Sequence, residues 1–310
     1  MIKIGIIGTG NIGKRHIQSI ANISEEFELF CHDMYEDSLE SLDSFFLAND
    51  IKIKNVEKIK NLDNFISRID NETLVIISTT AIGRATLTDQ ILKSSPKAIL
   101  LEKPVCQTLE EYDSILKNNV SNVPIYVNFP RHMYEFYNEI SVQQDMNDSK
   151  IFVTQNDAGI ACNGIHIFEL ICWLFDAKEY IITHHKISNP YETKRKGFYD
   201  ISGEVKFEIN KKIYFEFIDS ANSTETINII GKNKSYHIFE TSKKMLINSD
   251  QDIEVENINI PFQSQLTSEF VIDLFKNSST NLLPSINQTF LAHKMLFELL
   301  KLNKLSINLT

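Results

Sequence analysis

Clustered positive charge is what this chain has least of. Its 310 residues carry 31 Lys and Arg against 41 Asp and Glu, a formal net charge of −10. The longest cationic run is Lys194-Arg195-Lys196. That balance argues against a nucleic-acid partner and against an anionic membrane surface. Cysteine is scarce as well: Cys31, Cys106, Cys162 and Cys172, with no CxxC or CxxH spacing. The signatures of a redox dithiol or a zinc site are therefore missing, reduced core thiols are the expectation, and no metal is expected. No apolar run approaches the ~18 residues that a membrane-spanning helix needs. The first strand starts at residue 2 with no leader before it, so a cytoplasmic location is expected. There is no internal repeat and no low-complexity linker.

What the chain does have is apolar bulk, 43% of residues with 20 Phe, enough for the sizeable cores of two domains. It also has a dinucleotide-binding fingerprint at its start. An apolar run, Ile2 to Ile7, leads into Gly8-Thr9-Gly10-Asn11-Ile12-Gly13. A second apolar run, Phe27 to Cys31, is followed by Asp33, twenty residues after Gly13. Strand, Gly-rich turn, helix, strand and acid fall in the order that such a site requires. Gly8 makes the tight turn, Gly10 lets backbone N–H groups approach a pyrophosphate, and Gly13 lets the helix lie close on the sheet. The helix N-terminus faces the phosphate charge. Asp33 accepts bonds from ribose hydroxyls and repels a 2′-phosphate. The residues after it, Met34 to Asp37, include no Lys or Arg. NAD is expected over NADP.

Strands and helices alternate through the first part. Strands are expected at 2–7, 27–32, 51–54, 74–78, 98–102 and 125–128. Helices are expected at 12–21, 36–48, 62–69, 82–93 and 108–118, the last with Thr108 and Glu111 as a capping box. The rhythm then changes. A helix at 133–144, a strand at 150–156 and an apolar helix at 163–175 precede a series of strands: 180–187, 199–209, 212–218, 225–230, 235–240 and 244–247. Asn210-Lys211 and Gly231 to Lys234 read as hairpin turns, so these strands should pair antiparallel. Helices return at 265–276 and 288–302. The fold class expected is α/β: an N-terminal Rossmann doubly wound parallel sheet, then a C-terminal α+β domain with a large open, mostly antiparallel sheet. The boundary is placed between residues 125 and 126.

Several positions bear chemistry. Ser78 and Thr79 end the fourth strand, on the side where an open α/β sheet binds its ligand. Glu102-Lys103-Pro104 ends the fifth strand. A Lys there can polarise a carbonyl or move a proton, and Pro104 suits a cis turn; position alone leaves a surface lysine equally open. Asn128 and Arg131 follow the sixth strand, and Arg131 could grip a carboxylate or phosphate. Arg84 reads either as a solvated helix residue or as one facing an anion. On the helix after Gly159, Asn163 and His166 share a face, with Cys162, Glu169 and Trp173 extending the stripe. His166 is then either a satisfied core histidine or a general acid/base.

The glycine motif of GIIGTGNIGKRH, the EKP at 102–104 and the GxHxxE helix, in that order, resemble the glucose–fructose oxidoreductase / inositol dehydrogenase / MocA-type (Gfo/Idh/MocA) family over essentially the whole chain. The resemblance implies NAD(P)-dependent oxidation or reduction of a sugar, cyclitol or nucleotide-sugar, with a role in activated-sugar or surface-polysaccharide synthesis. It implies that Lys103 is the catalytic-site lysine and His166 the acid/base. It also implies a homodimer or homotetramer joined through the open sheet. Three positions depart from the pattern. Cys162 stands where many members have Asp, with Asn163 the nearest polar substitute. Glu169 stands for Asp, and Arg84 occupies a histidine slot. The missing Asp keeps open a second reading, a redox-silent NAD-binding regulator; a third is transient oxidation serving an elimination.

Overall fold

The computed structural model describes residues 1–53, 56–141, 148–249 and 252–309. The chain runs β1 (Ile2–Ile7), α1 (Asn11–Ile20), β2 (Phe27–His32), α2 (Glu36–Ala48), β3 (Val56–Ile59), α3 (Leu62–Ile66), β4 (Thr73–Ile77), α4 (Arg84–Leu92), β5 (Ala98–Leu101), α5 (Leu109–Asn118) and β6 (Ile125–Val127). A 3-10 turn (Pro130–Met133), α6 (Glu135–Ser141), β7 (Lys150–Gln155), a π-turn (Ile160–Gly164) and α7 (Ile165–Leu174) follow. Then come β8 (Tyr180–Ile187), β9 (Tyr191–Glu192), β10 (Tyr199–Asp200), β11 (Gly203–Ile209), β12 (Ile213–Asp219), β13 (Thr226–Ile230), β14 (Lys234–Phe239), β15 (Lys244–Ser249) and β16 (Asp252–Asn257). Helices α8 (Gln263–Asn277) and α9 (Ile286–Leu302) close the chain. No described helix is long and apolar enough to cross a membrane.

Packing divides the chain into two units, Met1–Met133 with Pro261–Asn287, and Tyr134–Ile260 with Gln288–Thr310. This differs from the single boundary expected at residue 125. Segment 261–287 packs with the first unit. In that unit six strands form one parallel sheet in the order β3-β2-β1-β4-β5-β6. All of β4 and β5 is buried, as strands covered by helices on both faces must be. The order reverses beside β1, which places the switch point at the β1–β4 junction. Helix α8 returns to this unit because α1 buries polar groups that it satisfies. Ser19 Oγ accepts from the Ser268 backbone N–H at 2.8 Å, and His16 bonds Thr267. Phe270, Val271 and Leu274 of α8 join the core of β1, β2 and β4.

Three expectations in this unit need correcting. The third strand lies at Val56–Ile59, not at 51–54, where residues 51–53 are not strand; Lys54 lies outside the described residues. Helix α4 starts two residues late, because Gly83 before it takes a left-handed φ of 71°. At α5 the capping box is only half as expected. Thr108 Oγ1 accepts from the Glu111 backbone N–H, but Glu111 Oε2 accepts from Gln107 rather than from Thr108.

The second unit is built on an eight-stranded sheet, β16-β15-β14-β13-β7-β12-β11-β8. All neighbours pair antiparallel except β7 and β12, which are parallel because α7 and four strands separate them in sequence. β11 and β12 alternate between buried and half-buried residues. Their inner face packs Phe207, Phe215 and Phe217 edge-on against Phe168 of α7. The other face carries Lys206 between Glu204 and Glu216, and Tyr214 bonded to Glu216. The expected strand 199–209 is broken at Ile201-Ser202, and β9 and β16 were not expected. Both are acid-bearing and exposed; β9 has only two residues, whereas β16 alternates Ile253 and Val255 with polar residues, a period-two signal that was there to be read. The helix expected at 133–144 begins at Glu135, and its residues 142–144 lie outside the described residues.

Candidate active site

The Gly-rich turn joins β1 to α1 and interlocks with the end of β4. Gly8 has φ +93°, and a Cβ there would sit 2.9 Å from Ser78 C and Thr79 N. A Cβ on Gly13 would sit 2.0 Å from Gly8 O. Ser78 ties the two loops together, its hydroxyl donating to Gly8 O at 2.7 Å. Gly10 is different: a Cβ there would meet nothing within 4 Å. It begins α1 with no side-chain cap and no acid in the first turn, so the helix's free N–H groups face open space. Asn11 and Ile12 beside it are exposed. Thr9 is buried, and its backbone N–H and hydroxyl donate to Asp33 Oδ2 at 2.7 and 3.2 Å. Asp33 Oδ1 accepts from Tyr35 N at 2.9 Å. The carboxylate thus braces the turn and keeps lone pairs for further donors such as ribose hydroxyls. A pyrophosphate fits beside Gly10, where the backbone is bare and the helix field is positive.

The second cluster of this unit surrounds Glu102-Lys103-Pro104 at the end of β5. The Lys103–Pro104 peptide is cis. Lys103 is half-buried. Glu102 is only 8% exposed, and its Oε1 accepts from His16 Nε2 at 2.9 Å and from Asn128 Nδ2 at 2.6 Å. Burial pushes the Glu102 carboxyl up, but the His16 contact, the Asn128 bond and the Lys103 charge outweigh it and leave the carboxyl below its ordinary range. Arg84 is fully buried, so it is not the solvated helix residue of the first expectation. Its guanidinium donates to the carbonyls of Glu102, at 2.5 Å, and of Pro104 and Thr79. Asn128 is 6% exposed and spends an amide hydrogen on Glu102, so here it supports the turn. Arg131 lies half-buried in the 3-10 turn after β6.

In the second unit His166 opens α7, half-buried, as are Cys162, Asn163 and Trp173, whereas Glu169 is 2% exposed and turned inward. Asn163 lies in the π-turn before α7, and its amide donates back to Ala158 O. Two aspartates that sequence reasoning missed hold this entrance. Asp200 accepts from the backbone N–H of Ala161 at 2.8 Å, Cys162 at 3.1 Å and Ile201 at 2.8 Å. Asp219 accepts from Ala158 at 2.8 Å and Gly159 at 3.0 Å. The signal was a lone acid ending an apolar run, at Tyr199-Asp200 and Ile218-Asp219. Burial pushes the Asp200 carboxyl up to about 6, with its backbone donors opposing and Asp219 adding to the rise. Gly159, φ 85°, has to be glycine, since a Cβ would lie 2.0 Å from Asp200 Oδ2.

Known proteins resemble this chain in sequence and fold. Residues 2–126 match the family model GFO_IDH_MocA, the oxidoreductase family with an NAD-binding Rossmann fold. The chain is 23% identical over 273 residues to the glucose-6-phosphate 3-dehydrogenase of Bacillus subtilis (strain 168), covering 76% of this chain and 74% of that protein. A dehydrogenase (MviM) from Clostridium difficile superposes with a TM-score of 0.74 at 14% identity, over 97% of this chain and 99% of that one. The UDP-N-acetylglucosamine 3-dehydrogenase GnnA from Acidithiobacillus ferrooxidans does so at 0.74 and 12% identity, over 96% and 95%. At such identities the superpositions speak for the fold alone.

Proposed function

We propose that this chain is an oxidoreductase of the Gfo/Idh/MocA type, the family with an NAD-binding Rossmann fold whose model matches residues 2–126, and that it moves a hydride between NAD and a ring hydroxyl or ketone of a phosphorylated sugar or nucleotide-sugar. The observation that carries this reading is the pairing, within one unit, of a bare Gly10 turn with a half-buried Lys103 fixed at the same sheet's C-terminal edge. The names of two relatives, both 3-dehydrogenases of phosphate-bearing sugars, support that substrate class.

The nicotinamide supplies the hydride acceptor or donor. The chain supplies the rest. The family resemblance assigns His166 the hydroxyl proton released when the substrate is oxidised, and assigns Lys103 the stabilisation of charge developing on the substrate oxygen. In reduction His166 returns that proton. Asp33 favours NAD, because its carboxylate repels a 2′-phosphate; Lys60, a cation after β3, is already engaged by Glu36. Arg131 and Asn163 are assigned to the substrate.

The test is a panel of sugar phosphates and nucleotide-sugars with NAD or NADP, followed by NADH absorbance. Lys103→Ala and His166→Ala should each lower turnover by about 10²–10⁴-fold, with thermal melts and NAD affinity near wild type. Asn163→Ala should fall between these and wild type. NAD binding without turnover on any substrate would favour the redox-silent regulator. We also assign a homodimer or homotetramer to the open sheet face, where Ile181, Ile253 and Val255 are exposed. A monomer by light scattering at micromolar concentration would overturn that.

A further inference from the structure

We propose that His16 is a positioning residue for Lys103: by holding Glu102, its chain neighbour, His16 couples the Lys103 turn to the helix that receives the cofactor phosphates. No element of the proposed hydride chemistry requires a histidine at this place, and His16 is fully buried, so it cannot touch substrate.

The argument begins with where His16 sits. It is on α1, one turn past Gly13, and so moves with the helix whose N-terminus faces the open space at Gly10. Its Nε2 meets Glu102 Oε1 at 2.9 Å, and its Nδ1 meets Thr267 Oγ1 of α8 at 2.8 Å. An ionised carboxylate only accepts, so Nε2 must be the donor. Both ring nitrogens are thereby fixed, and the ring has no freedom to turn.

Glu102 is the next link. It is the residue before the cis Lys103–Pro104 bond, and every group that faces it restrains it. His16 approaches from α1 and Asn128 from the loop after β6, both at Oε1. Arg84 of α4 holds the Glu102 main-chain carbonyl, and the same guanidinium binds the carbonyls of Pro104 and Thr79. Lys103 adds its charge alongside. With side chain and carbonyl both held, the position from which Lys103 leaves the backbone is set. A carboxylate in a dry site stays charged only while its donors stay. Losing His16 therefore removes both a hydrogen bond and the reason for Glu102 to remain ionised, and the turn loses its anchor. A misplacement of about 1 Å at a reacting group can lower turnover by about 10²-fold.

This reading of Lys103 rests on the function proposed above, and the experiment separates the two. Amide exchange over residues 102–107 and infrared spectra are recorded for wild type, His16→Ala, His16→Gln and Thr267→Val, each with and without NAD. A glutamine amide can replace Nε2 as donor to Glu102, so His16→Gln should behave as wild type. In His16→Ala the segment should exchange at least about tenfold faster. A protonated-carboxyl band absent from wild type should appear at neutral pH and vanish when Glu102→Gln is added. NAD should slow exchange at 102–107 in wild type and His16→Gln but not in His16→Ala. Thr267→Val keeps the side chain's shape and removes the partner of Nδ1 together with the long 3.4 Å bond from Gln263, so it should give a smaller change of the same sign, which decides the matter should His16→Ala not fold. Where a sugar substrate is turned over, His16→Ala should lower kcat about 10–100-fold with KM for NAD within about threefold, again restored by His16→Gln. Wild-type exchange and no carboxyl band in folded His16→Ala or Thr267→Val would overturn the proposal. Absence of turnover on every sugar would overturn the proposed function while leaving the exchange and infrared results to decide this one.

Discussion

Two glycines three residues apart, Gly10 and Gly13, should respond to the same added methyl group in opposite ways. At Gly13 an added Cβ would lie 2.0 Å from Gly8 O and 2.9 Å from Ser78 Oγ. The first contact is with backbone that is itself pinned by Ser78 and β4, so α1 must lift from the turn. Overpacking of that kind costs about 1–3 kcal/mol, and the helix-propensity gain of alanine over glycine, about 1 kcal/mol, offsets part of it. The net for Gly13→Ala is a loss of about 1–2 kcal/mol. At Gly10 a Cβ meets nothing within 4 Å, and the φ of −67° is one that alanine adopts readily. Only the poorer N-cap counts, under about 1 kcal/mol. The new methyl instead fills the space where the pyrophosphate belongs. Urea unfolding should therefore separate Gly13→Ala from wild type and leave Gly10→Ala close to it. NADH fluorescence titration should show at least a tenfold loss of affinity for Gly10→Ala. Wild-type NADH binding by Gly10→Ala would refute the placement of the phosphates at that turn.

Replacing Asp33 with serine should weaken NAD by a few fold, since Thr9 loses its acceptor, and improve NADP; unchanged discrimination between the two in fluorescence titrations would show that Asp33 does not face the 2′ position. Arg84→Met keeps the volume but strips donors from the buried carbonyls of Thr79, Glu102 and Pro104. A loss of about 2–5 kcal/mol in urea is expected, and a change under about 1 kcal/mol would contradict the clamp. For Asp200 the carboxyl is pushed up from 3.8 to about 6, so the folded chain holds a proton that the unfolded chain releases between these values. The group's contribution is full below about pH 4 and is lost as pH rises through about 6, by about 3 kcal/mol. Asp200→Asn should flatten that slope in urea midpoints measured from pH 4 to 7; an unaltered slope would place the titration elsewhere.

The sequence by itself determined the parts whose physics is local. Gly8, Gly10 and Gly13 followed by Asp33 specify a turn and a brace that the fold then reproduces, Asp33 meeting Thr9 at 2.7 Å. The run 74–77 is apolar on both faces and could only be a covered parallel strand. Hairpin turns such as Asn210-Lys211 announced themselves by residue type, and both adopt positive φ. Tertiary structure decided what depends on partners distant in the chain. Arg84 reads as a surface helix residue until four carbonyl-bearing positions from two loops are folded around it. His16 and Thr267, 251 residues apart, meet only because α8 comes back to α1. Asp200 and Asp219 look like strand-end acids, and only the folded second unit turns them onto the backbone before His166. Local pattern fixes conformation because its forces act within a few residues. The pairing of buried polar groups is set by which elements come to share a dry interior, and no window of sequence contains both partners.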